Sequence, residues 1–343
     1  MAFYDSFFNA FGLREWCDAS AGSAKMTMAS LLAKTNPDAA DEGPLLPFPS
    51  MDELYKACPS FPQSREFTAG VEEAFLNAKD VLKTVLDPLT QPLSWLLEGA
   101  LFIFLAAPWW IVVPLILLFV WYVCRSVAVT TFVTVSFAFL AFIDHLDAAL
   151  QTLAIIAVCT GICIILGVPI GIAMAKSNRL QRSLLPLLDL LQTLPTFVYL
   201  IPLIFLFSVT EPKLYGIAII VYAIVPVIRL TDLGIRLVDQ DVVEAANAFG
   251  MSSRQKLLGI ELPLALPNIM AGVNQTIMMS LAMVVIASLV SAPGLGVLVL
   301  RGIRNLELGV GLIAGLGIVL LAVILDRVSK AAIARVSTDQ TFK

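Results

Sequence analysis

Residues 244–263 read EAANAFGMSSRQKLLGIELP, a polar stretch set between two long apolar runs at 214–229 and 266–291. Charges and amides in this number are costly in hydrocarbon, so the chain leaves the bilayer after the first run and re-enters with the second. Inside the stretch, Val243, Ala246, Phe249 and Gly250 recur at helical spacing. A short helix carrying small residues at Ala245, Ala246 and Gly250 can press its backbone into a groove on a partner. Gly250 is placed to end that helix or to permit a sharp turn. Arg254 and Lys256 open a second polar helical stretch, which Pro263 is expected to stop.

The rest of the chain agrees with a membrane setting. It has 343 residues, 59% hydrophobic and 14% charged, with a mean hydropathy of +0.89. Soluble domains lie nearer half apolar and a quarter charged. Apolar runs at 108–124, 127–143, 149–175, 184–208, 214–229, 266–291 and 308–326 predict about seven spans. The fold class is all-α, a polytopic transmembrane helical bundle. A net charge of −4 implies no nucleic-acid partner. The cysteines (17, 58, 124, 159 and 163) form no ligand set, and with one histidine no metal site is expected. The mixed, acidic N-terminus lacks a signal-peptide pattern.

Residues 1–67 read as a poorly ordered tail interrupted by prolines, and 68–107 as amphipathic or interfacial helices. The helix at 68–87 has two readings, lying on the membrane surface or packing on its own protein. The stretch 89–107 carries Glu98 near its centre and is taken as interfacial. Residues 108–331 form the transmembrane domain, with the polar loop assigned to 231–263, and 332–343 a C-terminal tail. Placing that loop in the cytoplasm puts twelve loop lysines and arginines inside and only Lys213, Arg301 and Arg304 outside. That is the expected bias. The C-terminus is then cytoplasmic and, with seven spans, the N-terminal tail external; an eighth span at 89–107 would reverse the tail.

The spacing E-A-A, three residues, Gly250, nine residues, Ile260, one residue, Leu262-Pro263 resembles the coupling loop of permease subunits of binding-protein-dependent ABC importers. LLDLLQTLPTFVYLIPLIFLF (187–207), the stretch 262–290 and DRVSKA (326–331) look like the corresponding parts of the glycine betaine/proline betaine permeases. The resemblance covers roughly 90–331. It implies a type I importer permease in a bacterial cytoplasmic membrane, alternating between inward- and outward-open states. It assigns Glu244, Ala245, Ala246, Gly250, Arg254, Ile260, Leu262 and Pro263 to contact with an ATPase. It also implies a second copy of the permease, two ATPase subunits, an external substrate-binding protein and surrounding lipid as partners. No G-x-x-x-x-G-K-[ST] occurs, so ATP and magnesium belong to the ATPase and this chain binds no cofactor and is no enzyme. The implied solutes are glycine betaine, proline betaine, choline, carnitine and trimethylamine N-oxide. SVTEPKLYG (208–216) and Ala292-Pro293 depart from the betaine pattern and bring trimethylamine N-oxide forward.

Among polar groups in the spans, Gln192, Thr193, Thr196, Tyr199, Asn274 and Gln275 are candidates for the translocation path. The alternative is that they join helices. Asp189 lies within reach of Arg229 or Arg236, as an ion pair rather than a proton carrier. The rival to an ATP-driven conduit is a secondary transporter of similar solutes driven by an ion gradient.

Overall fold

A computed structural model describes residues 2–13, 58 and 64–341, and every regular element among them is helical. The expectation of a poorly ordered tail falls mostly on residues outside the described set. Two compact units divide at Asp80 and Val81. The first contains α1 (Ala2–Ala10), where Phe7 packs its ring against Phe8 and Phe11 at centroid separations of 5.8 and 4.7 Å.

The helix α2 (Ser64–Ala106) is one continuous element of 43 residues, and its stretch Thr68–Ala106 is long and apolar enough to cross a membrane, where 89–107 was expected to be interfacial. In the second unit it is followed by α3 (Trp109–Cys124), α4 (Val127–Phe142), α5 (Leu146–Lys176) and α6 (Asn178–Thr193). A 3₁₀ turn (Thr196–Tyr199) leads to α7 (Leu200–Leu206). Then come α8 (Pro212–Arg236), α9 (Gln240–Ala248), α10 (Ser253–Lys256) and α11 (Leu262–Ala287). The chain ends with α12 (Leu295–Arg304) and α13 (Leu308–Thr341).

Apart from 184–208, each expected span falls on helix. Five helical stretches are long and apolar enough to cross a membrane: Thr68–Ala106, Leu146–Lys176, Pro212–Arg236, Ser253–Val290 and Leu308–Arg335. The apolar helices α3 and α4 are shorter, at 16 residues each. The run expected as one span at 184–208 is broken instead. Its halves meet at 105°, because Leu194 and Pro195 adopt extended backbone (ψ 134° and 133°) and Pro195 offers no N–H to continue α6.

The helix α8 is the centre of the unit and packs against both α5 and α11. Close approach depends on small residues, as is usual between helices in lipid. A Cβ on Gly171 of α5 would stand 2.6 Å from the Ile228 carbonyl oxygen of α8. A second apolar cluster joins α3, α4, α5, α12 and α13 through Val120, Phe137, Leu140, Leu150, Leu295 and Leu321. At the end of α8 opposite the polar loop, Lys213 is buried. It pairs with Asp87 of α2 at 2.7 Å and Glu211 at 2.8 Å, beneath the Phe207 ring. Leu93 and Leu97 of α2 lie against Gly216 at that same end.

Candidate functional site

The polar stretch folds as a helical hairpin whose turns are dictated locally. Asp239 caps α9 by accepting from the Asp241 N–H at 3.0 Å. The helix stops at Gly250, whose φ of +74° suits a residue without a Cβ. Its N–H reaches the Asn247 carbonyl at 3.0 Å and the Met251 N–H reaches that of Ala246 at 3.1 Å, the paired bonds of a Schellman ending. Ser252 and Gln255 then exchange side-chain and backbone bonds in a capping box that starts α10. Lys256 ties the two arms together through Asn247 Oδ1 at 3.0 Å.

Two expectations for this hairpin are corrected. Pro263 does not stop the second arm. Residues Leu257–Glu261 form a π turn in which the Leu262 N–H bonds to the Leu257 carbonyl. The widened turn absorbs the proline, and the helix continues into α11. The loop also begins later than residue 231: Thr231, Asp232, Gly234 and Ile235 are buried in α8.

Ala246 is the third correction. It is 3% exposed and turned onto its own chain, so it cannot press into a partner's groove. The outward surface is formed by Val242, Glu244, Ala245, Phe249, Gly250 and Arg254. Phe249, absent from the sequence-derived set, is 87% exposed. Ile260, Leu262 and Pro263 are half-buried at the root of the second arm. A large aromatic immediately before the helix-ending glycine was the available signal for Phe249.

The base of the hairpin is pinned by buried charge. Glu261 is buried and pairs with Lys176 at the end of α5. Asp232, also buried, accepts from Gln181 Nε2 of α6 at 2.6 Å and from Arg236 Nε at 2.8 Å. The rest of the Arg236 guanidinium reaches Asn178 Oδ1 and the Met174 carbonyl, each at 2.8 Å. A cavity of about 270 Å³ lies between Lys176, Arg236, Gln240 and Glu261. Further along α6, Asp189 pairs with Arg229, one of the two partners foreseen for it.

The candidate path residues do not form one group. Gln192 and Thr193 end α6, and Thr193 Oγ1 donates to the Leu190 carbonyl at 3.2 Å. Thr196 and Tyr199 lie beyond the break on the 3₁₀ turn, so they share no helical face with Gln192. Tyr199 is buried, with its ring 6.5 Å from that of Tyr222 on α8. Asn274 is a helix tie instead: its Oδ1 accepts from Ser329 at 2.5 Å and its amide donates to Asp326 at 3.4 Å, both on α13. Gln275 is exposed on α11. Among the described residues, no three His, Cys, Asp or Glu side chains gather as a metal site.

Residues 167–338 match the family model described as the binding-protein-dependent transport system inner membrane component. The glycine betaine/proline betaine transport system permease protein ProW of Escherichia coli (strain K12) is 37% identical over 321 residues. That alignment covers 92% of this chain and 88% of the relative. The trimethylamine N-oxide transport system permease protein TmoV of Ruegeria pomeroyi is 40% identical over 196 residues, covering 57% of this chain and 30% of TmoV. A solved structure of the MetNI methionine ABC transporter in an inward-facing conformation shares the fold. It has a TM-score of 0.51 and 18% identity, covering 56% of this chain and 95% of its own.

Proposed function

Because this chain belongs to the binding-protein-dependent transport system inner membrane components, on the ProW-like branch, we propose that it is the membrane subunit of an ATP-driven importer of small quaternary-ammonium or N-oxide solutes. The observation that carries the coupling half of this reading is Phe249. It stands 87% exposed at the tip of a polar hairpin whose root is held by ion pairs on the buried carboxylates Glu261 and Asp232. A soluble partner that covers the ring gains apolar burial, and the pinned root passes any displacement of the tip into α5, α6, α8 and α11. The chain itself hydrolyses nothing; ATP and magnesium reside on the partner.

The working assembly is two copies of this chain, two ATPases docked on the hairpins and an external receptor that delivers the solute. ATP-driven closure of the ATPases opens the outer side, and their separation opens the inner side. The hairpin and the C-terminus face the cytoplasm, and residues 87–97 of α2 lie at the opposite end of α8. The solute class rests on what ProW and TmoV are named for carrying.

The ion-gradient alternative draws no support from four carboxylates of the helical bundle. Asp189, Asp232, Glu261 and Asp326 each have a cationic partner, which leaves none of these carboxylates free as an ion carrier. The test is uptake of radiolabelled glycine betaine and trimethylamine N-oxide into proteoliposomes. Uptake is expected only with the ATPase, the receptor and ATP present. Accumulation by this chain alone under a sodium or proton gradient refutes the proposal.

A further inference from the structure

The break between α6 and α7 concentrates three features that no helix tie explains. First, the carbonyl oxygens of Leu191, Gln192 and Thr193 accept no backbone hydrogen bond among the described residues. Pro195 has no N–H, and the 105° bend carries the following amides away. These oxygens form the electronegative end of α6. Second, the turn after the break brings Tyr199 against Tyr222 of α8, with ring centroids 6.5 Å apart and planes inclined by 52°. Third, the Tyr199 hydroxyl is buried without a hydrogen-bond partner, on a side chain that is 8% exposed. A buried hydroxyl without a partner is unfavourable and calls for an acceptor.

Free carbonyls and aromatic faces both attract positive charge. A methylated nitrogen suits them better than an ammonium, because it brings charge and apolar methyl groups but no N–H to satisfy. An interrupted helix inside a membrane is tolerated where it lines a cavity or a transport site. We propose that this break is a transit subsite for the solute. Its methylated nitrogen rests on the rings of Tyr199 and Tyr222 and on the last carbonyls of α6. The Tyr199 hydroxyl donates to the solute's carboxylate or N-oxide oxygen. Two aromatic contacts give weak holding, which suits a site that must release what it receives. The inference rests on the solute class proposed above and adds Tyr222, which the sequence gave no reason to select.

The experiment is ATP-driven uptake into proteoliposomes containing this chain, its ATPase and its receptor, with glycine betaine and choline as probes. Tyr222→Leu removes an aromatic face and is expected to lower the maximal rate for both by about 2- to 30-fold, with receptor affinity unchanged. Tyr222→Phe keeps the face and is expected to retain the wild-type rate. Tyr199→Phe preserves shape and removes only the donor, so it is expected to slow glycine betaine more than choline. Wild-type rates for folded Tyr222→Leu, or equal losses in Tyr222→Phe and Tyr222→Leu, overturn the subsite. If Tyr222→Leu fails to assemble, an unchanged betaine-to-choline ratio in Tyr199→Phe overturns it. Absence of ATP-driven uptake by the wild type is a different failure and removes the function proposed above.

Discussion

Truncating Phe249 to alanine separates docking from folding. The ring is 87% exposed, so the isolated chain loses almost nothing; surface changes of this kind fall within about 0.5 kcal/mol. The turn beside it is held by backbone bonds from Gly250 and Met251, which the substitution leaves intact. On docking, the ring passes from water into an interface. Burying a phenylalanine side chain stabilises by about 1.5–3 kcal/mol, the range in which single aromatic anchors dominate interfaces. The dissociation constant for the ATPase is therefore expected to rise about 10- to 150-fold, with the melting temperature nearly unchanged. Phe249→Leu keeps much of the apolar surface and falls between. The assay is titration of the detergent-solubilised chain with the ATPase, with thermal unfolding in parallel. Wild-type affinity in Phe249→Ala refutes the docking role. A large fall in melting temperature shows that the ring supports the fold, and it removes the basis for this reasoning.

Ala246→Asp places a carboxylate at a position that is 3% exposed and is expected to loosen the hairpin itself. Tryptic cleavage at Arg254 and Lys256 in the assembled membrane rises at least about tenfold if so; unchanged cleavage refutes it. Gly250→Asp meets no neighbour within 4 Å but must hold a φ of +74°. Its cost of about 1 kcal/mol falls on the turn, and weaker ATPase association without loss of membrane insertion is the expected reading. Gly171→Val forces a side chain against the Ile228 carbonyl. Overpacking of about 1–3 kcal/mol lowers the melting temperature by several degrees, and an unchanged melt contradicts the α5–α8 contact. Asp232→Ala leaves Arg236 without its carboxylate and Gln181 without its acceptor. A destabilisation of about 3 kcal/mol is expected in the same measurement, and Asp232→Asn should recover part of it.

Hydropathy alone located apolar helix at most of the expected runs, because crossing a bilayer requires about 20 apolar residues whatever the neighbours are; it did not show the break inside 184–208 or that Thr68–Ala106 is long and apolar enough to cross. The hairpin's ending at Gly250 was equally legible, since a helix stop is encoded within a few residues of itself. The break after Leu194 was only half legible. Pro195 offers no N–H to continue α6, but the 105° angle comes from the extended backbone of Leu194 and Pro195, which only the structure shows. Pro263 shows the converse, a local stop signal that a π turn absorbed so that α11 could run on.

The direction each polar side chain faces came only from the tertiary structure. Ala245 and Ala246 are chemically identical neighbours, both expected to face a partner, yet Ala246 is buried and Ala245 open. Asn274 left the candidate path because Asp326 and Ser329, 52 and 55 residues away, hold it. Lys176 finds Glu261 across 85 residues, and Gln181 finds Asp232 across 51. Chain-local patterns register apolar length and turn chemistry. A buried charge is settled by whichever opposite charge the packed helices carry to it, and that partner has no fixed distance along the chain.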